Sequence, residues 1–271
     1  MAEARVGVSG WRYPNWRGDF YPKGLGQRRE LEYVAFKMTS VELNGSFYSL
    51  QRPATFRSIA DQTPTDFPVA VKGGRYITHM KRLAGVESAL ANFFASGVLA
   101  LGERLGPVLW QLPPGLVYQE QRLAAFLDLL PRTTGAAAQL AGQHDDKLSG
   151  DRVLTEYAVD RPIRHALEAR HSSFGQSAAL ALLEDRDVAL VASDSPGAWP
   201  YLEECTAGFM YVRLHGHTEL YASGYSSSSL DRWAEKILDW CADGLDVYVY
   251  FDNDARGRAP HDAVALLERL G

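Results

Sequence analysis

The chain has 271 residues, of which 46% are hydrophobic and 23% charged, with a formal net charge of −5. That apolar mass excludes a disordered chain, and no apolar run approaches the roughly 20 residues that cross a bilayer. The 28 Lys and Arg against 33 Asp and Glu give no global basic footprint, so a long nucleic-acid interface is disfavoured while a local one stays open. Two cysteines, Cys205 and Cys241, are too few for a disulfide framework or a CxxC metal site. Cys205 reads as the end of a short helix and Cys241 as a buried helix residue. The first residues lead into a strand-like run with no apolar leader, so the expected location is cytoplasmic, away from membranes.

Dividing the length by eight gives about 34 residues, the size of one strand–helix unit in a barrel. Strand-like runs fall in chain order at residues 5–9, 40–44, 67–72, 107–112, 162–170, 187–193, 208–214 and 245–252. Helical periodicity between them is clearest over 90–101, 122–130, 230–241 and 263–270. Alternation of this kind predicts parallel pairing, because a helical crossover returns the chain in the same direction. The expected fold is α/β, a closed (β/α)8 TIM-like barrel, with an open doubly wound sheet as the alternative. No G-x-G-x-x-G follows the first strand, which weakens a dinucleotide-binding version of that alternative. The step from the fourth strand to the fifth is too long, and residues 132–160 supply the surplus. They are expected to form a helical pair inserted on the rim of a single domain spanning 1–271.

Side chains alternate between the two faces of a strand. In the second strand Val41 and Leu43 oppose Glu42 and Asn44; in the third, Val69 and Val71 oppose Ala70 and Lys72. The fifth sets Leu167 and Ala169 against Glu168 and Arg170, the seventh Val212 and Leu214 against Tyr211 and Arg213, the eighth Val249 and Phe251 against Tyr250 and Asp252. The apolar sets suit the helix shell. Glu42, Lys72, Glu168, Arg170, Arg213 and Asp252 should therefore converge at the C-terminal ends of the strands, with Asn44 alongside. Such a cluster is either a paired polar plug or a ligand site with cationic anchors and acid–base carboxylates.

His79, His171 and His215 follow the third, fifth and seventh strands, and Asp194 follows the sixth, so all four border the same opening. Histidine with carboxylate suits acid–base work or a divalent metal. No H-x-E, HExxH or H-x-H spacing with matched carboxylates fixes a metal, so a divalent ion is not favoured; a metallo-nuclease would need one among Glu42, His79, Glu168, Asp194 and His215. The first loop packs Trp11, Tyr13, Trp16, Phe20 and Tyr21 among Arg12 and Arg17, which suits either a lid or a wall that stacks on sugars or bases.

The segment 8–18, with Trp11-Arg12-Tyr13-Pro14-Asn15-Trp16, resembles the opening of the YecE-like family, a domain of unknown function (domain 72). Val41-Glu42-Leu43-Asn44-Gly45-Ser46-Phe47-Tyr48 is similar to that family's second-strand signature. Lys72, Ile77-Thr78-His79, Gln111-Leu112-Pro113-Pro114, Glu168, Arg170-His171-Ser172-Ser173-Phe174, Tyr211-Val212-Arg213-Leu214-His215-Gly216 and the run 248–254 fall in the same order. The resemblance covers almost the whole chain and implies an eight-stranded barrel, but no established reaction. Two positions depart from it: Ala169 stands where Phe is common, and Asp252 where Asn is frequent, which adds a carboxylate to the lumen.

The functional expectation is an enzyme, with a hydrolase of phosphoester or glycosidic bonds in a phosphorylated or sugar-containing substrate as the leading form. Glu42, Glu168 and His171 are the catalytic candidates. Trp11, Tyr13, Asn44, Lys72, His79, Gln111, Arg170, Asp194, Arg213, His215 and Asp252 are the candidates for holding a small or anionic ligand. The rival is a non-catalytic module that binds nucleic acid or a nucleotide.

Overall fold

Short β-branched runs separated by helical crossovers pair in parallel, and in the computed structural model, which describes residues 2–271, all eight do so. The strands are β1 (Ala4–Val8), β2 (Val41–Leu43), β3 (Val69–Lys72), β4 (Leu105–Gln111), β5 (His165–Glu168), β6 (Val188–Asp194), β7 (Phe209–Leu214) and β8 (Asp246–Phe251). Each pairs with its neighbour in sequence from β2 to β8, and β8 returns to β1. Between β1 and β2 the ring closes only by a bridge at Ser9 and Glu42, with the Gly10 N–H donating to the Glu42 carbonyl at 2.8 Å and the Thr39 N–H to the Val6 carbonyl at 3.1 Å. Gly7 permits that approach: a Cβ there would lie 2.0 Å from the Ser40 carbonyl oxygen. The result is a nearly closed TIM-like barrel.

The helices are α1 (Glu30–Lys37), α2 (Gly45–Tyr48), α3 (Pro53–Asp61), α4 (Glu87–Ala95), α5 (Glu120–Asp128), α6 (Thr134–Ala141), α7 (Ser177–Glu184), α8 (Ser227–Ala242) and α9 (Ala259–Leu270). The sequence expectation of a helix over 90–101 is corrected. It stops at Ala95 because Gly97 takes a φ of +113° and sits so close to Pro53 that a Cβ would fall 2.5 Å from its Cα. The insertion likewise holds one helix, α6, and a short turn at Gly150–Arg152 rather than a helical pair. The polar stretch after α6 has no apolar face to bury and stays irregular. Backbone bonds from Thr134 N–H to the Arg161 carbonyl (2.9 Å) and from Ile163 N–H to the Arg132 carbonyl (2.8 Å) staple its base. That staple takes up Pro162, so β5 begins at His165. Between β6 and β7, residues 195–208 contain no helix, since Pro196, Gly197 and Pro200 interrupt any helical run. Cys205 therefore lies exposed in a loop.

Two apolar cores follow from the alternation. Val41, Leu43, Val69, Val71, Leu167, Val212 and Val249 pack outward against the helix shell. Ala70, Leu109, Ala166, Val191, Tyr211 and Tyr250 fill the lumen. Above this lumen plug, at the C-terminal strand ends, the interior turns ionic.

Candidate functional site

Arg213, at the end of β7, is fully buried at the centre of that ionic layer. Its Nη2 donates to Glu42 Oε1 at 2.8 Å and to Asp252 Oδ2 at 3.0 Å, its Nε to Glu42 Oε2 at 3.1 Å, and its Nη1 to Glu168 Oε2 at 2.8 Å. A guanidinium is the one side chain whose planar fork can serve three carboxylates at once. Glu42 is completed by the Ser9 hydroxyl on Oε1 (2.7 Å) and the Tyr211 hydroxyl on Oε2 (2.6 Å). Glu168 Oε1 accepts from Arg170 Nε and Nη2 at 2.9 and 2.8 Å. The Arg170 guanidinium carbon lies over Trp199, 3.8 Å from the ring centroid, and Trp199 Nε1–H donates to Ser193 Oγ at 2.8 Å. Every oxygen of Glu42 and Glu168 is engaged, and neither side chain meets solvent.

Burial alone would raise the carboxyl pKa values here. For Glu168 it is outweighed by Arg170 and then Arg213, which hold the group well below the ordinary range. For Asp252 it is outweighed chiefly by Arg213, with His215 and Lys72 adding to it, and the pKa falls to about 2. Burial opposes the charge of Arg213, but Glu42, Glu168 and Asp252 more than restore it. His215 is wedged between two of these acids, its Nε2 3.4 Å from Glu168 Oε1 and its Nδ1 3.1 Å from Asp252 Oδ2, with neither nitrogen aligned for a hydrogen bond.

Lys72 differs from the arginines. It is buried at the end of β3, yet no hydrogen bond or ion pair reaches its Nζ among the described residues. The ammonium instead rests over the Phe47 ring, 4.6 Å from its centroid. Burial first, and then the nearby Arg213 charge, pull its pKa down to about 8 against the partial support of Glu42, Asp252 and Glu168. His79 also packs edge-on against Phe47, its ring 5.1 Å away and its Nδ1 2.9 Å from Thr78 Oγ1; burial, Arg170 and Lys72 lower its pKa.

The remaining candidates scatter around this centre. Gln111 is buried in the lumen at the end of β4. Asn44 stands at the end of β2 with a sealed Oδ1 that no donor reaches. Trp11 and Tyr13 belong to a packed loop in which Tyr13 leans on Trp16 (4.9 Å) and Trp16 on Phe20 and Tyr21 (5.6 and 5.7 Å). The Tyr13 hydroxyl donates to the Ser9 carbonyl at 2.6 Å, which ties this loop to the cluster. Two candidates are engaged elsewhere. Asp194 Oδ2 accepts from the Tyr225 hydroxyl at 3.0 Å, and His171 Nδ1 caps the turn Ser172–Gly175 by accepting from the Ser173 N–H at 3.2 Å. Among the described residues, no three His, Cys, Asp or Glu side chains are grouped to hold a metal ion.

A cavity of about 600 Å³ opens beside the ionic layer, between the first loop, the end of β2 and α3. Trp11, Arg12, Tyr13, Asn44, Gln51 and Gln62 are on its wall, and none of the clustered ionic groups lines it. Asn44 and Tyr13 therefore form the boundary between the two. Sequence reasoning missed Trp199, which lies in the crossover without a helix, and Ser9, whose hydroxyl also accepts from Arg213 Nη2 at 3.1 Å. It also missed the state of Asp254, whose two carboxyl oxygens are sealed without a hydrogen-bond partner. Burial, and then the charge of Asp252, push the Asp254 pKa well above the carboxylate range.

A family profile described as "Protein of unknown function DUF72" matches residues 5–271. The chain belongs to the DUF72 family. A DUF72 family protein from Thermotoga maritima MSB8 is similar in structure, with a TM-score of 0.76 at 23% identity over 99% of both chains. Another from Enterococcus faecalis V583 gives 0.74 at 16% identity, over 98% of this chain and 95% of that one. These likenesses establish the DUF72 barrel as the fold. No curated protein matches the chain. Among the described residues, no helix is long and apolar enough to cross a membrane.

Proposed function

We propose that this DUF72 protein binds and acts on a small, anionic, hydroxyl-bearing molecule of sugar-phosphate type at the C-terminal mouth of its barrel. One observation carries the reading: Lys72 is a buried cation at the mouth that the surrounding carboxylates leave without a contact partner. A buried ammonium is costly without an anion, and a ligand anion would supply one. The cavity beside the ionic layer, with Asn44, Gln51 and Gln62 on its wall, suits the hydroxyl groups of the same ligand.

In this reading Glu42 and Glu168 are positioning residues that hold Arg213 and Arg170, because all their oxygens are engaged. Acid–base work in a hydrolytic reaction falls instead to groups that still meet solvent, His79 and Asp252. Thermal unfolding in the presence of glycerol 3-phosphate, neutral glycerol and inorganic phosphate tests the reading. Glycerol 3-phosphate should stabilise the wild type, and the effect should be lost in Lys72→Gln. Equal stabilisation of both proteins would sink it.

A second reading is favoured by a separate observation. Tyr48 and Tyr76 are 67% and 43% exposed next to Phe47 and His79, and the Arg75 guanidinium carbon lies 5.9 Å from the Tyr48 ring centroid. Exposed aromatics with a nearby arginine suit base stacking. Salt-dependent binding of a short single-stranded oligonucleotide, weakened by Tyr48→Ala, would support that module; no binding at low salt would remove it.

A further inference from the structure

We propose that Lys72 is a carbonyl-reacting amine, which condenses through Nζ with the aldehyde or ketone group of a small hydroxylated substrate to form an imine. The inference deepens the ligand reading above and rests on it, since the same ligand must enter the same mouth. The Nζ lone pair attacks the carbonyl carbon, the C–O π bond breaks, and the oxygen leaves as water. The two hydrogens of that water are the two the neutral amine gives up, so no oxidant or reductant is needed.

The argument is geometric. A lysine in a purely structural role would be expected to pair with an anion, yet here the three carboxylates of the layer are occupied by arginines. Glu42 faces Lys72 from β2, Glu168 from β5, Arg213 from β7 and Asp252 from β8, while His79 approaches from the turn after β3. Arg213 donates hydrogen bonds to all three acids, so the ammonium gains only their longer-range attraction and suffers Arg213's repulsion. On one side the ammonium meets the apolar face of Phe47, 4.6 Å from the ring centroid. Desolvation together with a neighbouring cation is the standard means of keeping a lysine neutral enough to attack a carbonyl. With its pKa at about 8, an appreciable share of Lys72 is the free base near neutral pH, where an ordinary lysine is almost wholly protonated. Its position also fits, since a barrel places reacting groups at the C-terminal ends of its strands. The other five lysines, Lys23, Lys37, Lys81, Lys147 and Lys236, are exposed or half-buried and serve as internal controls.

The test incubates the full-length protein separately with dihydroxyacetone, dihydroxyacetone phosphate and pyruvate, adds sodium cyanoborohydride, and maps the reduced adducts by peptide mass spectrometry. At least one probe should label Lys72 at least about tenfold faster than any other lysine at pH 7, a margin consistent with its lowered pKa. The rate should rise with pH to an inflection near 8, and Lys72→Arg, checked for folding by circular dichroism, should abolish the adduct. Labelling of Lys72 no faster than the surface lysines would overturn the imine. Parallel stabilisation by glycerol 3-phosphate, which has no carbonyl, separates the two readings. Stabilisation with no Lys72 adduct overturns the imine and leaves the anion site standing; neither effect overturns both.

Discussion

Glu168 is shared between two arginines: its Oε1 accepts from Arg170 Nη2 and its Oε2 from Arg213 Nη1, each at 2.8 Å. The carboxylate thereby couples the loop after β5 to the centre of the barrel, and through Arg170 to the Trp199 ring. Replacing it with Gln keeps the shape but removes the charge and turns an amide N–H₂ toward a guanidinium. Glu168→Gln should lower the unfolding free energy by roughly 2–4 kcal/mol, as expected when one partner of a buried ion pair is lost. Urea unfolding at constant m-value measures it. A loss under about 1 kcal/mol would mean that the charge at this position is dispensable.

Asp252 supplies the second prediction. Its carboxylate contacts Arg213 and His215 and is 17% exposed. Because its pKa is depressed to about 2, its stabilising contribution is complete above the unfolded value near 4 and is lost as pH falls toward 2. Asp252→Asn should therefore remove about 1–2 kcal/mol at pH 7, with the two proteins converging at pH 2. The same substitution takes away a negative charge that supports the Lys72 ammonium. The ¹³Cε titration of Lys72 should then move below its inflection near 8. An upward shift would contradict the coupling between these two groups.

The alternation along β2, β3, β5, β7 and β8 was readable because a two-residue period leaves no choice about which side chains share a face. Glu42, Glu168, Arg213 and Asp252 therefore meet as the pattern requires. What the pattern leaves open is pairing. Six ionic groups can neutralise one another in several ways, and only three-dimensional placement leaves Lys72 without a contact partner. Residues at and beyond the strand ends were less legible still. His171 and Asp194 lie at the expected distance along the chain, but His171 is engaged in capping the Ser173 N–H and Asp194 in accepting from the Tyr225 hydroxyl. The helix expected over 90–101 failed for a tertiary reason, the close approach of Gly97 to Pro53, which leaves no mark in local periodicity. The departure at Ala169 falls in the shell core, away from the lumen.

Asp254 carries a third prediction, with the opposite sign from Asp252. Its raised pKa keeps the folded protein protonated where the unfolded chain is already ionised. Folding stability therefore declines as pH rises above the unfolded value near 4 toward the raised folded value. Asp254→Asn holds the neutral shape at every pH and should be more stable than the wild type at pH 7, by a few degrees in Tm, but equal to it at pH 3. A lower Tm at pH 7 would indicate that the carboxylate is ionised and satisfied by a contact absent from this geometry.

Lys72 gives the most direct separation of stability from function. The folded pKa of about 8 lies below the unfolded 10.5, so the native state releases a proton that the unfolded chain retains. Stability consequently rises with pH between those two values, and the full cost of the buried ammonium is present below pH 8. Lys72→Met removes that cost while filling the same volume against Phe47, although it forfeits the cation–π contact. The variant should be more stable by roughly 1–3 kcal/mol at pH 7, with the advantage shrinking through pH 9 and gone near 10.5. Urea unfolding at these three pH values follows it. A gain in stability combined with loss of every ligand response is the signature of a residue retained for chemistry at the expense of the fold. A variant less stable at pH 7 would show instead that Lys72 holds the barrel mouth together.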